Sequence, residues 1–560
     1  MSTVLTKPVL LDETGQAIVD KLEDIQQAIG GTGEFIPINI RVTTPPTKTN
    51  YLAGETLDLS GMVVTLVANN GGMYDVTGDC VFSPADGSTV TSSTTEVNIS
   101  YTWYKDSTVF TAVQPIGIKE LASIAVTTPP TVTEYDEGDT LDLTGMVVTA
   151  TFSDGTTGVV TNDCTFSPAD GDTLAVSDTT ISISLTMGTV TKTATQAITV
   201  NALIYGVEWD GTATTSWTRT DAASSFTDPI PAVNNGSGSS PFDNILPWSG
   251  MQIVEDNNAG TVVVIPKFYY KWTRSGSTMK LQVSQSYFEG SHISPAHCDR
   301  GDGVGEREYV YVGRYQSDAA TFKSISNVAP VGKSLYFTRA EQRTAIHNNG
   351  TDIWQSDYAM FWTIRMLYLV EFANWDSQST IGAGGGSTTD YQVDNTGGTD
   401  AMQYHTGTTA QTRTAKGRIQ YRHIEDLWSN YSEWCDGIRF AVPSGGSRTN
   451  RLVIIKNPAD FSDDSNGVEV ADRITGNGGY ISGWSNPSVS GYDWALYPSA
   501  ISGSDSTYIC DRVNTDNSGI TLKIGTNSVP SSYLTGYGAF ACFDEGKTDK
   551  SAGSRLMKLP

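Results

Sequence analysis

One segment of the sequence, SHISPAHCDRGDGVGERE, groups side chains that could bind a metal ion. His292, His297 and Cys298 offer the nitrogen and sulfur ligands that transition metals prefer, and Asp299 and Asp302 offer oxygens suited to calcium. Their spacing matches no established zinc motif. We therefore predict a polar, glycine-containing loop and no resident cofactor. A structural calcium ion, or a site made by His292, His297, Asp299 and Asp302, remains the alternative.

A second chemistry that the sequence could support is glycoside hydrolysis, which needs two carboxylates flanking a sugar. Five acidic residues are available, but their separations in space cannot be read from the sequence. There is no G-x-S-x-G elbow, and GDGVGE is not followed by a strand and helix of the dinucleotide-binding type. We therefore predict that the protein is not an enzyme. The five acidic residues are Glu371, Asp376, Glu425, Asp426 and Glu433.

Two other patterns are weak signals. Residues 300–302 spell RGD, a tripeptide that recurs by chance in chains of this length, so we predict no integrin-type binding. The six cysteines lie far apart and form no C-x-x-C pair, which indicates neither a zinc ribbon nor a disulfide framework. We expect them to be reduced and buried. They are Cys80, Cys164, Cys298, Cys435, Cys510 and Cys542.

Composition divides the 560 residues into two parts. The first 200 residues hold 39 of the 71 threonines and a single tryptophan, Trp103, whereas eleven tryptophans follow. The formal net charge is −26 and no run of Lys or Arg occurs, which excludes a nucleic-acid binder that depends on a basic surface. We find no 18-residue apolar run and no basic segment followed by an apolar one near the N-terminus. The sequence therefore predicts neither membrane insertion nor a secretory signal.

The N-terminal segment, residues 1–33, contains a short helical pattern. Ile18, Leu22, Ile25 and Ile29 are spaced 4, 3 and 4 residues apart, as in a coiled-coil seam. Isoleucine in such a seam favours three strands at least as well as two, but two heptads are too short to be stable alone. We interpret the segment as a docking or oligomerisation helix of a homotrimer. An ordinary amphipathic helix packed on a neighbour is the alternative.

A repeat follows the helical segment. Residues 42–65 and 126–149 match at 18 of 24 positions with a constant offset of 84, and CVFSPADG at 80–87 corresponds to CTFSPADG at 164–171. Within each copy, β-branched runs alternate with turn signals every 8–12 residues. This pattern is typical of an antiparallel β-sandwich. The predicted domains are residues 34–118 and 119–202.

The opening of the second copy, SIAVTTPPTVTEYDEGDTLDLTGMVVTATFSDGTT, resembles bacterial immunoglobulin-like domains. That family occurs in bacterial surface proteins and in phage structural proteins. The resemblance implies a spacer or a weak adhesion module and no catalysis. The residues agree, because neither copy contains histidine and the carboxylates lie in predicted turns.

The remaining residues, 203–560, read as short strands with two helices. Residues 261–272 and 306–315 have strand patterns, and Thr338 with Glu341 forms a capping box that opens a helix ending near Gly350. A core helix follows Asp352, and seven residues mark one apolar face of it. They are Ala359, Trp362, Thr363, Met366, Leu369, Val370 and Ala373.

Two segments in this region resemble the C-type lectin fold of the formylglycine-generating-enzyme type. DLWSNYSEWCDGI, residues 426–438, is similar to that family's D-x-x-G-N-V-x-E-W-x-x-D segment, with Ser429 where glycine is usual. GSRLMKLP, residues 553–560, is similar to its closing strand. The resemblance implies an α+β lectin-like domain over 203–560. Catalytic members bind copper through two nearby cysteines, whereas Cys510 and Cys542 are 32 residues apart, so that activity is not expected.

The region from Ile204 also resembles the C-terminal domain of phage virion proteins from gut Firmicutes, in several of which a diversity-generating retroelement varies surface residues near the C-terminus. Carried over to this chain, the resemblance implies a ligand face within residues 531–552. Whether this copy is diversified stays open. The implied ligand-binding residues are Tyr533, Tyr537, Phe543, Asp544, Lys547 and Thr548.

Together these patterns predict a mainly β, multidomain virion fibre that attaches a phage to its host. The helix would dock on capsid or tail proteins, two immunoglobulin-like domains would act as a spacer, and the lectin-like domain would bind a host-surface glycan or protein. Loops rich in Trp, Tyr, Asn, Ser and Gly are typical of recognition surfaces. Extracellular-type modules without signal or disulfides fit a protein made in the host cytoplasm and released by lysis to the virion surface. A polysaccharide-degrading tailspike and a structural capsid decoration are the alternatives.

Overall fold

A computed structural model describes most of the chain, and its residues form two compact units, Met1–Asn201 and Ala202–Pro560. Short antiparallel sheets dominate both, so the prediction of a mainly β, multidomain protein is confirmed. Among the residues described, no helix is long and apolar enough to cross a membrane. The described ranges are 35–332, 337–385, 393–441, 451–463, 466–472, 478–514, 521–525, 540–543 and 552–560.

The first repeat consists of eight strands around one core. Two three-stranded antiparallel sheets, in the orders β1-β3-β4 and β5-β6-β7, contribute to that core, and β2 and β8 form a short parallel pair. The strands are β1 (Pro37–Thr44), β2 (Asn50–Leu52), β3 (Val63–Ala68), β4 (Met73–Asp75), β5 (Val81–Ser83), β6 (Glu96–Thr102), β7 (Val109–Pro115) and β8 (Gly117–Lys119).

The second repeat has the same eight strands in the same arrangement. Its sheets are β9-β11-β12 and β13-β14-β15, and β10 and β16 form the parallel pair. The strands are β9 (Leu121–Thr128), β10 (Glu134–Asp136), β11 (Val147–Phe152), β12 (Thr157–Val159), β13 (Thr165–Ser167), β14 (Thr180–Met187), β15 (Val190–Ala197) and β16 (Thr199–Asn201).

Alternating side chains build each repeat core. In β6, Val97 and Ile99 are buried while Asn98 points outward, and in β14 Ile181 and Ile183 occupy the equivalent buried positions. This period of two is the geometry of a strand with one buried face. The sequence repeat is therefore a repeat of core positions.

The repeats differ at one hairpin. Six residues, 103–108, join β6 to β7, whereas Gly188 and Thr189 alone join β14 to β15. The longer loop of the first repeat begins with Trp103, which is buried against Phe35 and Tyr104 with ring centroids 5.4 and 4.6 Å apart. The single tryptophan of the N-terminal part thus extends the first repeat's core.

The C-terminal unit contains several small sheets. Five strands pair in the order β18-β17-β23-β22-β24, four in the order β19-β27-β28-β29, and five in the order β20-β21-β25-β40-β26. The largest sheet runs β32-β31-β30-β37-β38-β36-β33 with β39 beside β30, and β34 pairs with β35. The first strands are β17 (Tyr205–Trp209), β18 (Thr218–Asp221), β19 (Ala232–Val233), β20 (Ile253–Asp256), β21 (Gly260–Pro266), β22 (Tyr269–Ser275), β23 (Thr278–Ser284), β24 (His292–Ile293), β25 (Tyr309–Gly313), β26 (Ile353–Gln355), β27 (Gly407–Thr408) and β28 (Ile419–Tyr421).

The later strands carry the two lectin-like segments. The final strand, β40, lies between β25 and β26 inside a sheet, so the end of the chain is part of the core. These strands are β29 (Ile424–Glu425), β30 (Ser432–Ala441), β31 (Arg451–Ile454), β32 (Val468–Asp472), β33 (Gly479–Tyr480), β34 (Gly483–Ser485), β35 (Tyr497–Ala500), β36 (Arg512–Asn514), β37 (Thr521–Ile524), β38 (Phe540–Phe543), β39 (Ala552–Gly553) and β40 (Leu556–Lys558).

Three helices are described, α1 (Arg339–His347), α2 (Tyr358–Phe372) and α3 (Ser377–Thr380). The capping box predicted for α1 is confirmed, because Thr338 and Glu341 exchange side-chain and backbone hydrogen bonds. Every residue of α2 is buried, so the single apolar face predicted for it understates its burial. The helix is central to the unit's core.

Three predicted elements have different bounds in the structure, and the smallest difference is at 306–315, of which Tyr309–Gly313 form β25. The run 261–272 is not one strand, because Pro266 has no N–H to continue the ladder and ends β21, and β22 then joins a different sheet. The core helix does not start after Asp352. The residues after Asp352 form β26, which pairs with β40. The helix α2 begins only at Tyr358, after Asp357, whose carboxylate caps it by accepting the N–H of Met360 at 2.8 Å.

Candidate functional site

The segment predicted to bind the ligand, 531–552, is attached to the largest sheet of the C-terminal unit. β37 precedes it, β38 lies within it, and β39 begins at its last residue. β38 pairs antiparallel with β37, where Leu522 faces Cys542, and parallel with β36, where Val513 faces Phe540. Residues 540–543, the described strand of this segment, therefore lie between two neighbouring strands of the sheet.

Of the six predicted ligand-binding residues, the structure describes only the backbone of Phe543, the last residue of β38. The other five lie outside the described residues, and their role stays a prediction. They are Tyr533, Tyr537, Asp544, Lys547 and Thr548.

The predicted oligomerisation seam also lies outside the described residues. The trimer and the docking helix of residues 1–33 therefore stay predictions. The seam residues are Ile18, Leu22, Ile25 and Ile29.

One arginine holds the closing strand of the chain in place. Arg555 is 1% exposed, and its Nη2 donates to Glu433 Oε1 at 2.6 Å and to the carbonyl oxygen of Glu425 at 2.7 Å. Its Nη1 donates to the carbonyl oxygens of Gly313 and Arg314 at 2.8 and 3.0 Å. A buried guanidinium with this many acceptors fixes four chain segments relative to one another.

The same ion pair joins the two segments that resemble the lectin fold. Arg555 lies in residues 553–560 and Glu433 lies in residues 426–438. The backbones meet as well, because β39 pairs parallel with β30 through Ser432 and Glu433. Sequence patterns about 120 residues apart are thus neighbours at the base of the predicted ligand segment.

The carboxylates considered for glycoside hydrolysis already have protein partners. Glu371 accepts from Arg422 Nη2 at 2.6 Å and from Ser240 Oγ at 2.8 Å. Glu425 accepts from Arg418 Nη2 at 2.7 Å, and Arg418 also pairs with Asp426.

The remaining two carboxylates are also used. Glu433 binds Arg555, and Asp376 caps α3 by accepting the N–H groups of Gln378 and Ser379 at 3.1 and 3.0 Å. Four of the five are at most 5% exposed. These five residues therefore stabilise the fold and offer no pair of carboxylates facing an open sugar cleft.

Sequence reasoning missed an Asp-His-hydroxyl chain, because 162 residues separate its acid from its base. His405 Nε2 donates to Asp243 Oδ1 at 2.9 Å, and its Nδ1 lies 2.8 Å from Thr406 Oγ1. Thr406 is fully buried and already accepts the backbone N–H of Arg422 at 3.0 Å. A substrate cannot reach this hydroxyl, so the chain cannot act as a nucleophilic triad.

The histidines and aspartates of the metal candidate are separated. His297 is buried, with Nδ1 2.5 Å from Ser294 Oγ and Nε2 donating to the carbonyl oxygen of Ile265 at 2.9 Å, whereas His292 is exposed on β24. Burial lowers the pKa of His297 to about 4. Because both ring nitrogens have protein partners, His297 is not free to bind a metal.

The two aspartates of the segment SHISPAHCDRGDGVGERE bind groups within the same segment. Asp299 accepts the N–H of Gly301 at 2.8 Å, and Asp302 pairs with Arg307. Within the described ranges, no group of three or more His, Cys, Asp or Glu side chains is placed to hold a metal ion. The polar-loop interpretation of the segment accounts for these contacts.

The RGD tripeptide is also part of the fold. Arg300 is 2% exposed and pairs with the buried Asp357, the residue that caps α2, so it is not presented to a partner. Among the cysteines, Cys435 and Cys510 are buried, as predicted. The prediction of burial is wrong for Cys80, Cys164 and Cys298, which are free but partly exposed.

Comparison with known proteins adds no family to these observations. No protein-family model matches the chain, and no curated protein matches it. The function is therefore inferred from the sequence patterns and from the contacts described above.

Proposed function

We propose that the protein is a fibre on the head or tail of a bacteriophage virion and attaches the particle to its host. In this proposal residues 203–560 form a C-type-lectin-like domain whose ligand face lies within 531–552. The observation that carries the proposal is the buried pair of Arg555 and Glu433, which joins the two lectin-like motifs at the base of that segment. The ligand is a glycan or protein of the host surface.

The two repeats support the role of spacer. In the proposal they are immunoglobulin-like domains, residues 34–118 and 119–202. Each repeat has its own apolar core, and its carboxylates cap turns. Such domains hold a binding module away from the particle without contributing chemistry.

Residues 1–33 dock the fibre on capsid or tail proteins and form a homotrimer in this proposal. Light scattering of the full chain should then give three times the 60.1 kDa of one chain. A mass of one chain would contradict the trimer.

Adhesion without catalysis is favoured over a polysaccharide-degrading tailspike. All five carboxylates considered for hydrolysis bind arginines or backbone amides, and four of them are buried. An assay for reducing sugar released from envelope polysaccharide should therefore give no signal above background. Release of sugar would support the tailspike instead.

The adhesion proposal is tested with the labelled full chain on a panel of Firmicutes strains. We expect binding to at least one strain, competition with phage adsorption, and loss of both in the double variant Tyr533→Ala/Tyr537→Ala. Truncating two aromatic contacts of an interface typically weakens binding by on the order of 10-fold or more.

The matched control is Tyr287→Ala/Tyr309→Ala, which removes two tyrosines that are 57% and 53% exposed and lie outside 531–552. It should bind like the unmodified chain. A chain that binds no strain would favour the structural decoration, and equal loss in both double variants would place the ligand face elsewhere.

A further inference from the structure

We propose that the C-terminal unit has a second ligand site, a cleft between β22 and residues 484–493 that takes a neutral sugar. The site uses no residue of 531–552. It therefore goes beyond the adhesion surface proposed above and can be tested apart from it.

Trp272 and Arg274 line one side of the cleft, and Tyr270 lies on the same face of β22. Tyr270, Trp272 and Arg274 are two residues apart and so point to the same side of the strand. The Tyr270 hydroxyl donates to Asp493 Oδ2 at 3.2 Å, and Arg274 Nη2 donates to the carbonyl oxygen of Trp484 at 2.6 Å. Residues 484–493 are thus attached to the strand on either side of Trp272.

The space between these attachments is a cleft of about 310 Å³. This volume lies at the lower end of the roughly 300–1,000 Å³ that is typical of small-molecule sites. Its lining residues are a tryptophan, two residues of opposite charge, an asparagine, a serine and a threonine. They are Trp272, Thr273, Arg274, Ser485, Asn486 and Asp493.

The walls are fixed before any ligand arrives. Asn486 Nδ2 donates to the carbonyl oxygen of Asp493 at 2.8 Å, which ties the two ends of the loop together. Trp272 and Trp484 each meet Trp362 of α2 edge to face, with ring centroids 6.4 and 5.3 Å apart. A site held by the core loses little entropy on binding, which favours affinity.

Polar atoms remain available on both charged walls. In the described part of the chain, the hydrogen bonds of Arg274 use only Nη2, and those of the Asp493 carboxylate use only Oδ2. The two residues form no ion pair with each other within that part. Nε and Nη1 of Arg274 can therefore donate to a ligand, and Oδ1 of Asp493 can accept.

The opposite charges select the class of ligand. A phosphate would be attracted by Arg274 but repelled by Asp493. An ammonium group would be attracted by Asp493 but repelled by Arg274. A sugar hydroxyl both donates and accepts, so neighbouring hydroxyls can satisfy Asp493 and Arg274 together. The apolar C–H face of a sugar ring can lie against the indole of Trp272, whose flat surface is suited to such contact.

The test uses the full chain. An array of neutral oligosaccharides identifies the sugar that binds best, and calorimetry with that sugar compares the unmodified chain with Arg274→Gln and Asp493→Asn. We expect each variant to weaken binding about tenfold or more, because each loses one charge-assisted hydrogen bond to the sugar. Arg451→Gln, which removes an exposed charge elsewhere on the unit, should leave binding unchanged.

Hydrogen exchange of the unmodified chain gives a second readout that needs no variant. Addition of the sugar should protect backbone amides of residues 270–274 and 484–493. The Tyr533→Ala/Tyr537→Ala chain should keep this protection even where it no longer binds cells, which separates failure of this site from failure of the adhesion face.

Three results would overturn the site. One is that no neutral sugar binds, and another is that Arg274→Gln and Asp493→Asn both bind as the unmodified chain does. The third is that inorganic phosphate, choline or a free amino acid protects these amides while sugars do not, which would assign the cleft to a charged or zwitterionic ligand.

Discussion

The repeats and the C-terminal unit place their charged groups in opposite ways. In the repeats, Asp58 accepts the N–H of Ser60 and Asp142 accepts the N–H of Thr144, at 2.9 and 2.8 Å, in exposed turns. Hydrogen bonds from the Ser60 and Thr144 side chains, and then those from the backbone N–H groups, lower the pKa of Asp58 and Asp142. In the C-terminal unit, by contrast, carboxylates lie inside the protein against arginines, as Glu433 does against Arg555.

The difference teaches how each region specifies its structure. A turn carboxylate and its amide are two residues apart, so the same short motif can be copied to build a second domain. A buried arginine needs an acceptor from a distant segment, and it then fixes where long connections lie. The C-terminal unit consists of many short strands, and pairs such as Arg422 with Glu371 and Arg339 with Asp463 join segments that are 51 and 124 residues apart.

The largest expected effect is the loss of stability when the buried guanidinium of Arg555 is removed. Arg555→Met leaves the Glu433 carboxylate buried without its partner and removes the donor from three carbonyl groups. Deleting one member of a buried pair typically costs about 3–5 kcal/mol of unfolding free energy. Urea unfolding of the full chain should show that loss in the transition of the C-terminal unit.

The matched control is Lys48→Met in the first repeat. Lys48 and Glu55 lie 3.0 Å apart but are 41% and 38% exposed. Such a surface pair contributes about 0–1 kcal/mol, so the first repeat should unfold almost as before. A loss of similar size in both variants would mean that burial does not distinguish the two kinds of pair.

The repeat and its strands follow from the sequence because the signals are local. The alternation of apolar residues, the turn carboxylates and the prolines after β1 and β9 all act within a few residues. The capping box of Thr338 and Glu341 was predictable for the same reason. The mainly β class could therefore be derived without tertiary information.

The contacts that organise the C-terminal unit are not local, and sequence reasoning missed them. From the sequence alone, Glu371 and Glu433 could equally be catalytic acids or structural residues. Only their arginine partners, 51 and 122 residues away, show that they are structural. The sequence pattern places Ile353–Gln355 in a helix, but these residues form a strand. Their strand partner is the last strand of the chain, which no local pattern reveals. Arg365 and Glu371 inside the otherwise apolar helix α2 are the local signal that charge is buried in this unit.

A second prediction sharpens the comparison within the repeats. Ile99 and Ile183 occupy equivalent positions 84 residues apart, and both are 1% exposed. Ile99→Ala and Ile183→Ala should each cost about 2–4 kcal/mol, since both leave a cavity in an aliphatic core.

The two costs should be similar if the repeats are packed alike, as measured by urea unfolding of each variant. The exposed Val81→Ala, at 68% exposure, is the control and should change little. A cost at Ile99 well below that at Ile183 would show that the longer hairpin with Trp103 lets the first core relax.

The smallest expected effect is a loss of unfolding free energy when the pH is lowered from 7 to 5. It depends on histidine, so it should appear only in the C-terminal unit, where all five histidines lie. Burial lowers the pKa of His297 from 6.5 to about 4, so the unfolded chain binds a proton at this residue more readily than the folded one. The stability that depends on neutral His297 is complete above pH 6.5 and is lost as the pH falls towards 4. Between pH 7 and pH 5 the loss amounts to about 2 kcal/mol.

His297→Gln removes one of three histidines whose pKa is lowered by burial, the others being His405 and His423, so its unfolding free energy should change less between pH 7 and pH 5 than that of the unmodified chain, whatever its stability at pH 7. His292→Gln is the matched control, because it makes the same substitution at an exposed position on β24. Equal pH dependence in the unmodified chain and in His297→Gln would mean that the imidazole can take up its proton within the fold. The buried histidine would then behave like the exposed charges of the repeats, and the contrast between the two regions would not extend to His297.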